Sequence, residues 1–199
     1  MVGAATFHTV ATELVMGMFS LAAICITFRL FSSLAPEELW AELRKKLDSI
    51  TDMTALVAAS VGIVFVPMAI FTGTQAAPSD LGNPYLFNKF LLSGLAMGLW
   101  IGYIHGRIQI GAQMWNRRSI AILQGGLGLT AFGVTTLIAT MGGKVARGES
   151  LMDLMPFGLP LDSSIVLQTG PAAFLFLLSL IALIVVIYVQ PKQSSEHLK

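Results

Sequence analysis

The strongest constraint on this chain is a set of five apolar runs, each of about twenty residues, the length that crosses ~30 Å of hydrocarbon at 1.5 Å per residue. They cover 9–30, 53–72, 87–110, 120–141 and 166–189. In hydrocarbon the backbone must satisfy its own hydrogen bonds, so all five are helical. The expected fold is therefore all-α, an integral membrane bundle of about five transmembrane helices forming one domain over 1–199.

Composition agrees. Charged residues make up 12% of the chain and hydrophobic ones 55%, whereas a soluble domain carries about 25% charged. Net charge is +1 with no basic run, which excludes the electrostatic footprint of a nucleic-acid binder. The single cysteine, Cys25, lies inside an apolar run and reads as a small buried hydrophobe; no intrachain disulfide or Cys-x-x-Cys metal cage is possible. No Lys or Arg precedes Arg29, and Glu13 interrupts the first run, so that run reads as a retained helix rather than a cleaved signal.

Between the first two spans, PEELWAELRKKLDSITD has Pro36 at a helix start, Glu37 and Glu38 in its first turn and Arg44, Lys45 and Lys46 in its last. Leu39, Trp40, Leu43 and Leu47 share a face, so 36–49 is expected as a short amphipathic helix along the headgroups. The Gly- and Pro-rich connection 73–85 reads as a surface loop. The connection 142–165 is apolar but broken by Pro156, Gly158 and Pro160, and is expected to dip into the interface or dock on a partner.

Basic residues give a direction. With alternating spans, Arg29, Arg44, Lys45, Lys46, Arg107, Arg117, Arg118, Lys192 and Lys199 fall on one side, and only Lys89, Lys144 and Arg147 share the other with the N-terminus. The positive-inside rule then places the N-terminus outside and the C-terminus in the cytoplasm, in a cell (plasma or inner) membrane.

The third span repeats Gly94, Gly98, Gly102 and Gly106, and the fourth carries Gly125, Gly126, Gly128 and Gly133. Stripes without side chains let helix backbones approach closely, so Gly94, Gly98, Gly102, Gly106, Gly125 and Gly128 are expected as packing positions. The functional alternative is a flat pigment, haem or quinone ring lying on the stripe. Among ionisable residues, which are costly in a membrane, Glu13 and Lys89 enter on the same side and are expected to pair; Glu13 is also a candidate proton relay or a ligand near a quinone head.

Histidine is the natural haem ligand. His8 and His105 are the intramembrane candidates, but they sit in different layers and cannot grip one iron. His105, beside Arg107 in GYIHGR, suits an interfacial hydrogen bond. No phosphate loop, His-Glu-x-x-His helix or nucleophile elbow is present, so catalytic and metal-binding residues are assigned to none and no stand-alone enzyme is expected.

The opening FHTVATELVMGM resembles the start of the DUF2231-type family of small polytopic membrane proteins, in which a His-Pro-x-x-Val-His-x-Pro-like motif precedes Ile-Gly-Leu. His8 matches the first histidine, Glu13 stands at the second, and Met16-Gly17-Met18 resembles the tail. TGTQAAPSD and MGGKVARG extend the likeness, which covers 7–148. The family's histidines would suit a haem or metal; Glu13, and Asn88 with Lys89, imply that this chain has lost such a site.

These readings converge on an accessory transmembrane subunit of a larger electron-transfer, membrane oxidase or photosynthetic complex, contacting lipids and other membrane subunits. The alternatives are a haem- or quinone-binding electron carrier and a small transporter or channel.

Overall fold

The computed structural model of the chain describes residues 3–36, 41–76, 84–149 and 151–154, with isolated positions between 170 and 181. Four long helices carry it: α1 (Ala4–Leu34), α2 (Ala41–Ala76), α3 (Pro84–Ile110) and α4 (Arg118–Arg147). Short 3₁₀ turns occupy Ala112–Asn116 and Leu151–Leu154, and no strand occurs among the described residues. The helices run up and down, each packed on its neighbours in the order α1, α2, α3, α4, and α4 closes back onto α1.

Three of them, α1, α2 and α4, are long and apolar enough to cross a membrane. At 27 residues α3 matches them in length, but Asn88, Lys89, Ser93, His105 and Arg107 dilute its apolar character. The expected fifth span, 166–189, lies largely outside the described residues, as does half of the connection 142–165. Outward-facing Val64, Leu123, Ile24 and Phe71 are about two-thirds exposed, as lipid-facing side chains require.

The expected amphipathic helix 36–49 is not a separate element. From Ala41 its residues run without a break into the second span, giving one helix of 36 residues; residues 37–40 lie outside the described set. Nothing between Ala41 and Val61 is a glycine or proline that would end a helix, and the turn around Asp48 and Asp52 is held against the bundle by ion pairs. The connection expected to begin at Gly73 starts later, since α2 reaches Ala76. At its other end α4 runs to Arg147 and stops at Gly148, whose φ of 75° is the left-handed conformation glycine adopts at low cost.

Close approach of α1 and α2 follows from small side chains. Ala55, Ala58, Ala59 and Gly62 form a buried stripe on α2, and the ring of Phe19 from α1 seats on it. A Cβ at Gly62 would come within 2.5 Å of that ring. Behind Phe19, Trp100 of α3 stacks at 4.4 Å with 7° between planes, and Tyr103 meets Trp100 edge-on at 6.1 Å. These rings with Ile26 and Met114 are the largest fully buried side chains of the described core.

Below the aromatic layer, at the end holding the α3–α4 turn, the helices are joined by charge. Asp52 of α2 accepts from Arg107 Nε at 2.9 and 3.1 Å and from Trp115 Nε1 at 2.7 Å, and it is 3% exposed. Arg29 of α1 pairs with Asp48 of α2 while its guanidinium lies 5.4 Å over the Trp115 ring. Ser32 Oγ donates to Asp48 at 2.8 Å, and Ser33 Oγ to the Trp115 carbonyl at 2.6 Å. Gly111, at φ 76°, turns the chain so that Trp115 returns into this cluster.

Removing one partner of a buried ion pair strands the other charge at a cost of about 3–5 kcal/mol, whereas replacing both by apolar groups is often neutral. Asp52→Ala is therefore expected to lower the thermal midpoint of the detergent-solubilised chain sharply. Asp52→Leu combined with Arg107→Met is expected to recover most of the loss; equal melting of all three proteins would remove the clamping role of the cluster.

Candidate functional site

At the opposite end of the bundle the four helices splay around a cavity of about 330 Å³. Its location follows from what lines it: small residues of α2, α3 and α4 stand at this level. Ala69, Ala96, Ala139, Gly142 and Gly143 leave the room. Phe19, Val66, Ile70, Met97 and Ile138 give the deep part an apolar wall, while His8, Thr12, Glu13, Lys89, Ser93 and Arg147 supply polar groups.

Each polar group has a defined position. His8 Nδ1 lies 3.2 Å from Thr72 Oγ1. That hydroxyl donates to the Met68 carbonyl at 2.8 Å, so the imidazole N–H donates to Thr72. The ring also sits over Gly73, where a Cβ would come within 2.8 Å of His8 Cε1; here the glycine makes room for a side chain. Ser93 Oγ and Thr135 Oγ1 donate to the carbonyls of Lys89 and Ala131, both at 2.8 Å. Thr135 also accepts from Trp100 Nε1 at 3.2 Å, which fixes the indole behind the cavity floor.

The expected Glu13–Lys89 pair is not formed. Glu13 is an exposed residue of the cavity wall, whereas the Lys89 ammonium turns to α4, with Nζ 3.0 Å from where a Cβ on Gly142 would stand. Solvation of the carboxylate and the open seat at Gly142 account for the separation. His105 is an exposed residue of α3, sixteen residues beyond Lys89 and so ~24 Å along the helix. The cavity thus contains His8 and Glu13 but not His105.

Glycines divide likewise. Gly102, Gly106, Gly125 and Gly128 face side chains of neighbouring helices: Leu127, Gln124, Leu30, and Ile26 with Tyr103, respectively. Around Gly98, Gly126 and Gly133 no described residue lies within 4 Å of a would-be Cβ. At Gly106 the Gln124 amide already occupies the space over the glycine that a flat ring would need. The space for a ligand is at the helix ends instead.

Reading the sequence for motifs missed Thr12, Thr72, Ser93, Thr135 and the glycine pair 142–143, because they are spread over four helices. A depth count carries the signal: all of them fall within about three turns of the same membrane face once the spans alternate. Arg29, Asp48, Asp52 and Arg107 share the other face by the same count. Among the described residues, no three His, Cys, Asp or Glu side chains converge as metal ligands.

No protein-family model matches the chain, and no curated protein or solved structure is detectably similar to it. The DUF2231-type resemblance of its opening rests on the short motifs alone.

The glycine environments make a prediction. Gly106→Leu forces a side chain into the Gln124 amide and Gly128→Leu into Ile26, each expected to cost about 1–3 kcal/mol by overpacking. Gly98→Leu and Gly126→Leu enter open space and are expected to change the thermal midpoint little. A uniform response at all four positions would contradict the packing described.

Proposed function

We propose that this chain is a transmembrane subunit that holds an amphipathic small molecule between its helices, within a larger membrane assembly of the electron-transfer class. The cavity carries this reading: it has an apolar floor and a polar mouth, and it lies among four helices rather than on the outer face of one. Ligand sites of this size and lining are mostly apolar, with a few convergent polar groups that orient the ligand.

Within that class a quinone suits the residues better than a haem. A quinone needs hydrogen-bond donors and an aromatic or aliphatic wall. The Lys89 ammonium is a donor at one end, with Phe19 backed by Trp100 at the other. A haem needs axial ligands, and His8 is the one histidine among the lining residues. With the basic residues concentrated at the ion-cluster end, the positive-inside rule turns the cavity to the outer face and the clamp to the cytoplasm.

Mass spectrometry of molecules co-extracted with the chain in a mild detergent tests the reading. The wild type is expected to carry a stoichiometric amphiphile. Ala139→Trp, which fills the cavity from a wall position, is expected to lose it with little change in thermal midpoint. An identical lipid complement in both proteins would sink the proposal, and a chain that extracts alone would remove its subunit half.

A further inference from the structure

We infer that the cavity selects amphiphiles whose head presents a negatively charged oxygen, and that the Lys89 ammonium is the group that binds it. The inference rests on the reading of the cavity as an amphiphile site and specifies the head chemistry which that reading leaves open.

Charge placement carries the argument. Lys89 lines the cavity and is half-buried, and no acceptor among the described residues lies within hydrogen-bonding or ion-pair distance of its Nζ. The two buried arginines of the described bundle each have a counter-charge: Arg107 has Asp52 and Arg29 has Asp48. An ammonium withdrawn from water without a counter-charge costs several kcal/mol, and a partner that supplies an anionic oxygen offsets that cost. No described residue supplies one here: Glu13, the carboxylate of the cavity wall, is not within ion-pair distance and is exposed to solvent.

The rest of the mouth reinforces this sign. Arg147 from α4 lines the same opening, with Nη2 3.0 Å from a would-be Cβ on Gly143. His8 lines it from α1 with its N–H committed to Thr72. The half-buried Lys89 and the exposed Arg147 therefore stand beside one exposed carboxylate. Gly142 positions Lys89, since its missing side chain is the space the ammonium occupies. Below the ammonium the wall is Phe19, Val66, Met97 and Ile138, which suits an alkyl chain or apolar ring. The shared chemistry of the ligand is an anionic oxygen on an apolar body, supplied by a carboxylate or by a lipid phosphate.

Phosphatidylcholine nanodiscs holding the full chain allow a direct test. Three probes of equal chain length are compared, each with a terminal bromine that quenches tryptophan: a fatty carboxylate, an alkyl phosphate and the corresponding alcohol. Trp100, stacked on Phe19, reports occupancy of the cavity. At least one anion is expected to bind ten-fold or more tightly than the alcohol, and the stronger of the two identifies the source of the head.

Lys89→Met is expected to bring anion and alcohol within about two-fold of each other without weakening the alcohol, and Lys89→Arg to retain the preference. Equal binding of anions and alcohol by the wild type, or an anion preference that survives Lys89→Met, would overturn the inference while leaving the cavity as an amphiphile site. Absence of quenching by all three probes would overturn both. Circular dichroism of each variant identifies one that has failed to fold, in which case Lys89→Gln replaces Lys89→Met in the comparison.

Discussion

The bidentate contact between Arg107 and Asp52, with Trp115 as third donor, is the interaction on which the bundle depends. It joins α2, α3 and the α3–α4 turn at one point, and the neighbouring Arg29–Asp48 pair adds α1. Apolar packing has little preference between protein and lipid tails, so helix association in a membrane leans on close packing and on polar contacts that lipid cannot offer. A buried Asp and a buried Arg are each costly alone and satisfied only together, which penalises any arrangement that separates the helices at this end. Free energy is thereby concentrated at one end of the molecule.

The opposite end has the converse character. There the helices meet through alanines, glycines and hydroxyl-bearing residues whose hydrogen bonds mostly return to their own backbone. The His8–Thr72 bond joins α1 to α2 here, but among the described residues no ion pair joins the helices at this end, and a cavity remains. Between the two ends the Phe19, Trp100 and Tyr103 rings form a solid layer. A tight base, an aromatic floor and an open mouth follow from where the polar residues fall along each helix.

How much of this is legible in sequence differs by level. Helix existence was legible, since long apolar runs admit no other solution in lipid; the ends of α1 and α3 fall within about five residues of those expected, and α4 overshoots by nearly two turns to its glycine cap. The division between an amphipathic helix at 36–49 and a second span was misplaced, because hydropathy changes at Asp48 and Asp52 while helix propensity does not. Of the candidate site residues, His8 and Glu13 line the cavity and His105 lies at the far end of α3. Gly98 shares the spacing of Gly102 and Gly106 yet faces open space, since a four-residue repeat drifts around a helix of 3.6 residues per turn.

The sequence by itself determined the solvent and the secondary structure: a run of some twenty apolar residues leaves the backbone nowhere to place its hydrogen bonds except within its own helix. Tertiary structure alone decided which polar residues became partners. Asp52 and Arg107 are 55 residues apart, His8 and Thr72 64; no local spacing links them, and only the alternating course of the helices brings them to one depth. It also decided that Lys89, expected beside Glu13, turns to Gly142. A lysine's long stem reaches whichever neighbour leaves room for it, and the room was set by a glycine on another helix.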